Sequence, residues 1–192
     1  MIRLLLIGPP GAGKGTQAAL LAQHFGIPAI STGDIFRENV RNETELGLKA
    51  KSFMDRGEYV PDSLTNDLVR DRLSQDDAAA GFLLDGYPRT IDQVNELDEM
   101  LAEQETQLDV VVQLTADHEE LLRRLSGRAA EQGRSDDTPD VISRRLSVYD
   151  EQTAPLIDVY ASRSLVAKVD GLGEISDVTA RIVEVINARE LS

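Results

Sequence analysis

A glycine-rich turn near the start of the chain constrains the fold more than any other stretch. It runs from Gly8 to Thr16, directly after the apolar run Ile2–Ile7 and before a helical pattern at Gln17–Phe25. A strand, a tight glycine turn and a helix in this order direct backbone N–H groups and a helix N-terminus at one anion. Lys14, within the turn, adds a charge that reaches the outer phosphates of a nucleotide. The stretch therefore predicts a phosphate-binding loop.

Short apolar runs alternate with amphipathic stretches along the rest of the chain. This alternation is typical of βαβ units, whose parallel strands are buried on both faces and are therefore nearly continuous in apolar residues. The sequence predicts an α/β fold with a parallel sheet. The predicted strands are Ile2–Ile7, Ile27–Ser31, Phe82–Asp85, Val110–Leu114 and Ser164–Val169.

Helical patterns occupy the intervals, with two irregularities. Residues 32–75 hold more helix than one crossover needs, which favours a small helical lobe. The polar stretch 127–140 predicts a mobile loop, a length of connection that is often functional. Pro155 predicts a kink in the longest helix. The predicted helices are 17–25, 35–40, 45–55, 64–73, 90–102, 118–125, 141–160 and 176–188.

Composition narrows the class of protein. A chain of 192 residues suits one domain, and nothing in it argues for an obligate oligomer, so we expect a monomer. The net charge of −14 argues against a nucleic-acid partner. The absence of cysteine excludes disulfides and thiolate metal sites and fits a reducing cytoplasm. No signal peptide or membrane-spanning run is found, so we expect a cytoplasmic protein without a membrane partner.

An aspartate at the end of the third predicted strand supplies the acid that a nucleotide site needs. Phosphate loops usually carry a hydroxyl directly after the lysine to meet magnesium, but Gly15 stands there. Asp85 ends an apolar strand whose C-terminal end lies beside the phosphate loop in a parallel sheet. We expect Asp85 to orient Mg²⁺, directly or through water.

Arginines dominate the basic residues near the predicted cleft, and no general base accompanies them. Pro88 points Arg89 toward the same end of the sheet, whereas His24 and His118 lie on helices without a partner pattern. A phosphorylated alcohol would need a base, but a phosphate acceptor is already anionic at neutral pH. The set therefore favours transfer between two phosphates. Its members are Arg37, Arg89, Arg124, Arg128, Arg134 and Arg145.

Several ordered motifs then identify a resemblance. They are Gly8–Gln17, Ser31–Asp34, Asp85–Thr90, Gly127-Arg128 with Gly133–Asp137, and Gln152–Leu156. On these motifs the chain resembles the adenylate kinases of the nucleoside monophosphate kinase family, in their short-lid form. The resemblance implies a P-loop NTPase-type three-layer sandwich with a five-stranded parallel sheet. It also implies one kinase domain over residues 1–192, with a core of 1–30, 61–126 and 138–192, a monophosphate-binding lobe of 31–60 and a lid of 127–137.

The resemblance also implies a role for each site residue. The catalytic residues would be Lys14, Arg89, Arg124, Arg134 and Arg145. ATP would contact Gly11, Ala12, Gly13, Lys14, Gly15, Thr16, Arg128 and Gly173. AMP would contact Thr32, Arg37, Glu58, Tyr59, Val60, Gly86, Tyr87, Pro88, Arg89, Gln93, Arg134 and Arg145.

The reaction implied is the reversible, Mg²⁺-dependent conversion of ATP and AMP into two ADP. Thr32 and Gln93 resemble the positions that select AMP, and a glutamine amide pairs two-pronged with an adenine edge. A short lid without cysteine implies no structural zinc. Two alternatives stay open at this point: a UMP/CMP kinase, and a non-catalytic nucleotide switch, although the chain carries no Asn-Lys-x-Asp guanine motif.

Overall fold

The structure, a computed structural model, describes residues 2–190, so the predicted limits at residues 1 and 192 lie outside it. Its described strands form one sheet of five, all parallel, in the order β2-β3-β1-β4-β5. The predicted α/β class and five-stranded parallel sheet are confirmed. The strands are β1 Arg3–Ile7, β2 Ala29–Ser31, β3 Phe82–Asp85, β4 Val110–Thr115 and β5 Val166–Asp170.

Helices connect the strands and cover both faces of the sheet. None of the helices within residues 2–190 is both long and apolar enough to cross a membrane. The helices are α1 Lys14–Phe25, α2 Thr32–Arg41, α3 Glu45–Met54, α4 Asp62–Leu73, α5 Ile91–Glu103, α6 His118–Gln132, α7 Pro139–Val148, α8 Ala154–Ser162 and α9 Ile175–Glu190.

Alternating strand residues build two separate cores, one on each face of the sheet. Leu4 and Leu6 of β1 pack in the core formed with α1, α6, α7 and α9. Leu5 and Ile7 pack in the core formed with α4, α5 and α8. Successive side chains of a strand point to opposite faces, so a strand with helices on both sides is apolar at every position. This arrangement is the predicted three-layer sandwich.

A third, smaller core lies in the helical segment between β2 and β3. Phe36, Ala50 and Val60 are buried there against partly buried side chains of α3 and α4. The helices α2 and α3 approach so closely that a Cβ on Gly47 would lie 2.1 Å from the carbonyl oxygen of Asn39. The segment therefore has packing of its own, as the predicted small helical lobe requires.

The structure corrects the prediction of a loop over residues 127–140. Helix α6 continues to Gln132 and ends at Gly133, which adopts the left-handed conformation with φ 57°. Gly127 lies inside the helix, because an interior glycine costs only about 1 kcal/mol and tertiary packing outweighs it. A 3₁₀ turn at Ser135–Asp137 follows, and α7 begins at Pro139. The irregular connection is thus shorter than the sequence suggests.

The predicted interruption of the helix at 141–160 is confirmed, but it lies before the proline. A π-type segment, Tyr149–Thr153, separates α7 from α8. Pro155 stands in the first turn of α8, where a missing backbone N–H costs nothing. Single π-type turns inside helices occur frequently at functional sites. This one carries Thr153, a buried polar residue.

Candidate active site

The phosphate loop has the predicted strand–turn–helix context. Gly13 takes the left-handed conformation with φ 95° at the N-cap of α1, a conformation that disfavours other residues. Helix α1 begins at Lys14, whose Nζ donates to the carbonyl oxygens of Gly8 at 2.8 Å and Pro9 at 3.2 Å. The loop therefore curls around its own lysine, and the N-terminus of α1 faces the same space.

Two connected cavities open at the C-terminal edge of the sheet. The phosphate cleft, of about 480 Å³, is lined by the loop, by Asp85 and by arginines of α6. The inner cavity, of about 100 Å³, lies between the small helical segment and the core and is lined by Thr32, Val60 and Gln93. Parallel α/β sheets bind ligands at this edge.

Four basic residues stand on the boundary between these cavities. Lys14, Arg37, Arg89 and Arg145 line both the phosphate cleft and the inner cavity. A phosphate in either cavity would therefore meet the same cations. Residues 14, 37, 89 and 145 come from distant parts of the chain, and the fold brings them together around these two cavities.

Burial and mutual repulsion both lower the pKa values of cations in the site. Burial is the main cause that lowers the pKa of Lys14 to about 8, and repulsion from Arg89 and Arg145 lowers it further, while Asp85 opposes the shift. Burial also lowers the pKa of Arg145 to about 10. Burial and the neighbouring Arg37 lower the pKa of Arg134. The site is electrostatically prepared for anions.

Two adjacent aspartates hold the cleft arginines, and the sequence reasoning gave neither of them a role. Asp137 accepts two hydrogen bonds from Arg128, at 2.6 and 2.7 Å, and one from Arg145 at 2.7 Å. Arg134 donates to Asp136 at 3.2 and 3.3 Å. Burial raises the pKa of Asp136, but Arg145 and Arg134 more than offset it, so the pKa stays below its usual value. The sequence feature that indicates this role is a pair of adjacent aspartates with arginines on both sides in one polar stretch.

Asp85 lies beside the position that lacks the usual hydroxyl. A Cβ on Gly15 would stand 3.9 Å from Oδ2 of Asp85, so the carboxylate faces the space that a serine would enter. Asp85 is buried at the end of β3, where its backbone pairs with β1 and β2, and its side chain makes no hydrogen bond within residues 2–190. Among the described residues, no group of three or more His, Asp or Glu forms a ready metal site. One carboxylate with open space fits a cation that keeps most of its waters.

Arg89 is positioned through its backbone and its guanidinium. Its N–H donates to Oε1 of Gln93 at 2.7 Å, and its carbonyl oxygen accepts from Oγ1 of Thr153 at 2.8 Å. The guanidinium lies over the ring of Tyr59, 5.1 Å from its centroid. The Tyr59 hydroxyl bonds to the same Thr153 hydroxyl. Thr153 belongs to a motif that the sequence singled out, yet its contact with Arg89 could not be foreseen.

Residues predicted to contact the monophosphate surround the inner cavity, with two exceptions, Tyr87 and Arg134. Thr32 donates to the carbonyl oxygen of Gly86 at 3.0 Å. Tyr87 points away: its ring is buried in the core of α4 and α5, and its hydroxyl donates to Asn66 at 2.8 Å. Its side chain is therefore not part of the cavity. The predicted residues lining it are Thr32, Arg37, Glu58, Tyr59, Val60, Gly86, Pro88, Arg89, Gln93 and Arg145, whereas Arg134 lines the phosphate cleft.

A third cavity, of about 290 Å³, lies on the outer side of the phosphate loop. Ala12, Gly13, Thr16 and Gly173 line it. Arg124 stands between this cavity and the cleft, donating to the carbonyl oxygen of Gly171 at 3.0 Å and to those of Gly11 and Ala12 at longer range. Arg124 therefore ties the phosphate loop to the β5–α9 connection. Gly11, Gly15, Thr16, Arg124 and Arg128 line the phosphate cleft.

These features define a class of protein: a P-loop nucleotide-binding fold with two adjoining cavities that share one set of cations. Comparison with known proteins gives the family. The family model for adenylate kinase matches residues 6–165. The adenylate kinase of Kocuria rhizophila is 62% identical over 183 residues, which cover 95% of this chain and 97% of that protein. That of Pseudarthrobacter chlorophenolicus is 58% identical over 190 residues, 99% of each chain.

A third relative, the adenylate kinase of Bifidobacterium longum, is 58% identical over 182 residues, 95% of this chain and 98% of that protein. The chain belongs to the adenylate kinase family. It is therefore a nucleoside monophosphate kinase, an ATP-binding phosphotransferase whose acceptor is itself a phosphate. The comparisons favour neither the pyrimidine kinase nor the non-catalytic switch.

Proposed function

We propose that the chain catalyses the reversible transfer of a phosphoryl group from ATP to AMP, giving two ADP. ATP occupies the phosphate cleft, and its base extends toward the third cavity beside Gly173. AMP occupies the inner cavity. One observation carries the proposal: Lys14, Arg37, Arg89 and Arg145 line both cavities, so the cations stand where the two phosphate groups meet.

The transfer needs positioning and charge neutralisation, because the acceptor oxygen of a phosphate is already anionic. Lys14, Arg89, Arg134 and Arg145 stabilise the charge that spreads over the transferring group, with Arg124 holding the phosphate loop in shape. The cations are desolvated in the empty protein, which the lowered pKa values of Lys14, Arg134 and Arg145 express. Fixed charges in a water-poor site act more strongly than the same charges in water.

The family uses ATP together with Mg²⁺, and the residues at the cleft fit that cation. Asp85 would hold it through its waters, in the space left open beside Gly15 and Thr16. When bound, the ion neutralises phosphate charge. Asp85 also attracts Lys14 electrostatically, so the same carboxylate would serve both cations. No residue group in the described part of the chain suggests a second, structural metal.

Two segments of the chain enclose the cavities, and we assign them as the moving parts. The monophosphate-binding lobe, residues 31–60, has its own small core around Phe36. The lid, residues 127–137, carries Arg128, Arg134 and the two aspartates that pair with them. Closure of both over the substrates excludes water, which would otherwise accept the phosphoryl group. Residues 1–30, 61–126 and 138–192 form the core that they close upon.

The monophosphate is AMP because the inner cavity presents neutral hydrogen-bonding groups to a base. Gln93 and Thr32 are buried at its wall, 1% and 2% exposed, and both keep hydrogen-bonding capacity beyond their contacts within the protein. A glutamine amide offers one donor and one acceptor to an adenine edge. We further assign a cytoplasmic monomer, which the absence of cysteine and the net charge of −14 support.

An assay panel with one donor tests the assignment. ATP and Mg²⁺ are offered with AMP, UMP, CMP or GMP, and nucleoside diphosphate formation is followed for each. The expected result is AMP consumed with a kcat/KM at least about 100-fold above the others, the discrimination that a hydrogen-bonding base site gives. Preferential consumption of UMP or CMP would replace the assignment with a pyrimidine kinase. Tight binding without turnover would make the protein a nucleotide-binding module.

A further inference from the structure

The side-chain amide of Gln93 is held at both of its ends. Its Oε1 accepts the backbone N–H of Arg89 at 2.7 Å, and its Nε2 donates to Oδ1 of Asp62 at 2.8 Å. Gln93 is only 1% exposed, yet it lines the inner cavity. Asp62 is half-buried behind it and does not line the cavity. Asp62 therefore touches the base-recognising residue and not the space that a base occupies.

One partner of this amide can only donate a hydrogen bond, and the other can only accept one. A backbone N–H donates and never accepts, and an ionised carboxylate accepts and never donates. If the amide of Gln93 rotated by half a turn, its NH₂ would face the N–H of Arg89 and its oxygen would face Asp62. Both contacts would become repulsive at a buried site, where unpaired polar groups are costly. The orientation of the amide is thus set by chemistry at both ends.

The carboxylate of Asp62 is itself held relative to the helix that carries Gln93. Its Oδ1 also accepts from the hydroxyl of Thr90 at 3.1 Å. Thr90 caps α5, and its Oγ1 accepts the backbone N–H of Gln93 at 3.2 Å. Asp62, Thr90 and the amide therefore form one small network at the start of α5. Such a network keeps Gln93 from adapting to a different ligand.

A fixed amide distinguishes bases that a free one would accept alike. The adenine edge presents an amino donor at position 6 and a ring acceptor at N1, whereas hypoxanthine presents an acceptor at position 6 and a donor at N1. A free glutamine pairs with either by rotating half a turn. A fixed glutamine matches one edge and meets the other with two like groups, and unpaired or opposed groups reject a ligand strongly.

We infer that Asp62 is a positioning residue that determines specificity: it fixes Gln93 for 6-amino purine monophosphates and against 6-oxo purine monophosphates. The inference rests on the proposed function, in which Gln93 reads the base of AMP. Asp62 acts only through Gln93. The negative charge of Asp62 influences the phosphate of every monophosphate equally. That influence therefore cancels when the kcat/KM values for two monophosphates are divided by one another.

The test compares AMP with inosine monophosphate, which differs from it only in the edge that Gln93 would read. Asp62→Asn is nearly isosteric, and its amide presents either an oxygen or an NH₂ to Gln93. One of the two constraints on the rotation is then lost. The expected result is a fall of about tenfold in the ratio of kcat/KM for AMP to that for inosine monophosphate, within the range that one two-pronged base contact supplies. The activity with inosine monophosphate should rise, which structural damage would not produce.

Asp92→Asn is the matched control. Asp92 precedes Gln93 on α5, is exposed and carries the same charge as Asp62. The ratio of kcat/KM for AMP to that for inosine monophosphate should therefore be the same in Asp92→Asn as in the unchanged protein. If Asp62→Asn folds poorly, Asp62→Ala and equilibrium binding of the two monophosphates give the same comparison. If an Asp62 variant lowers the activity with both monophosphates and leaves their kcat/KM ratio unchanged, the inference about Asp62 is wrong but the proposed function is unaffected. A wild-type protein indifferent to the two monophosphates overturns both this inference and the proposed base recognition.

Discussion

The phosphate cleft and the inner cavity share a wall but solve different physical problems. In the cleft, charges hold charges: Asp137 accepts from Arg128 and Arg145 over distances of 2.6 to 2.7 Å. The inner cavity shares four of these cations, but uncharged groups also position its residues, as in the chain of contacts from Tyr59 through Thr153 to the Arg89 backbone. The cleft is therefore suited to phosphates of any nucleotide, whereas the cavity is suited to one base and one geometry.

The two cavities differ in whether they contribute mainly to affinity or mainly to selectivity. Charged contacts strengthen binding of every phosphate but distinguish bases poorly. Buried neutral groups add less affinity but reject ligands that leave them unpaired. A substitution on the cleft side should therefore change all nucleotides alike, and a substitution on the cavity side should change the acceptor alone. The following experiments test this division, beginning with the largest expected effect.

Removal of the Lys14 side chain should impair catalysis with both substrates, because the residue lines both cavities. Lys14→Ala is expected to lower kcat by about 10²- to 10³-fold, the usual loss when one group that stabilises transition-state charge is removed. Steady-state kinetics with each substrate varied in turn measures the effect, and circular dichroism verifies the fold. Lys49→Ala removes a surface lysine paired with Glu45 and should leave kcat unchanged. Near-native turnover without Lys14 would refute its place at the shared wall.

Removal of Asp137 should break the charge balance of the cleft. The side chain is fully buried and pairs with the guanidiniums of Arg128 and Arg145 at 2.6 and 2.7 Å and with that of Arg134 at 3.8 Å. Asp137→Asn therefore removes a counter-charge from three cations. The expected loss is about 3 kcal/mol of folding free energy, a typical value for breaking a buried ion pair. For a chain of this length that loss lowers Tm by about 6–12 °C. Saturating ATP should recover much of the difference, since phosphate replaces the missing charge.

The control for Asp137 is an ion pair of similar geometry on the surface. Arg72 donates to both oxygens of Asp77 at 2.7 and 2.8 Å, and Asp77 is exposed. Asp77→Asn should leave Tm nearly unchanged, because exposed pairs contribute little. Equal melting temperatures for both variants, measured by calorimetry, would show that the cleft aspartates are no more important than surface charges.

On the cavity side, removal of one hydroxyl should change the acceptor alone. Tyr59→Phe keeps the ring beneath Arg89 but loses the contact with Thr153, and Thr153→Val loses the donor to the Arg89 carbonyl. Each is expected to raise KM for AMP about five- to tenfold, the value of about one hydrogen bond, with KM for ATP unchanged. Tyr59→Leu should be worse, because the ring contact is lost as well.

Thr106→Val supplies the comparison for these variants. Thr106 lies in the connection between α5 and β4, lines neither cavity, and donates to the carbonyl oxygen of Leu101 at 3.4 Å. Thr106→Val should leave KM for AMP and KM for ATP unchanged. A rise of the two KM values together in Thr153→Val would mean that the cavity and the cleft are one unit, and the division argued above would be wrong.

The sequence predicted the local part of this arrangement and missed the long-range part. The phosphate loop, the strand ending in Asp85 and the boundaries of most strands follow from patterns within about ten neighbouring residues. Asp62 and Gln93 are 31 residues apart, and Tyr59 and Thr153 are 94 apart. A single sequence carries no sign of such pairs, since each depends on how whole elements pack.

The lid was misread for a related reason. Gly127 and the polar residues after it are typical of a loop, but α6 continues to Gln132. Local preferences of this size are small, and the apolar side chains of α6, Leu121 and Leu125, are buried against the core and hold the helix in place. Polar composition also concealed that Asp136 and Asp137 are buried, because only the surrounding arginines make such burial tolerable.

The smallest expected effect is a pH dependence that belongs to the cleft alone. Burial lowers the pKa of Lys14 to about 8 in the folded protein, below the 10.5 of an ordinary exposed lysine. The empty protein therefore loses the Lys14 charge as pH rises through 8, and about a quarter of it remains at pH 8.5, so ATP affinity should fall about fourfold from pH 7. Affinity for ATP is measured by titration calorimetry across this range.

The lowered pKa of Lys14 affects folding stability in the opposite direction: ATP affinity falls as pH rises, whereas the free energy of unfolding increases. Between pH 8 and 10.5 the unfolded chain binds more protons at Lys14 than the folded chain does, so the empty protein should gain stability as pH rises there. Lys14→Arg keeps its charge between pH 7 and 8.5, because the pKa of a guanidinium is well above that of an ammonium group. Its ATP affinity, measured in the same way, should show no inflection near pH 8. An inflection that persists in Lys14→Arg would assign the titration to another group and remove Lys14 as the cause of the difference between cleft and cavity.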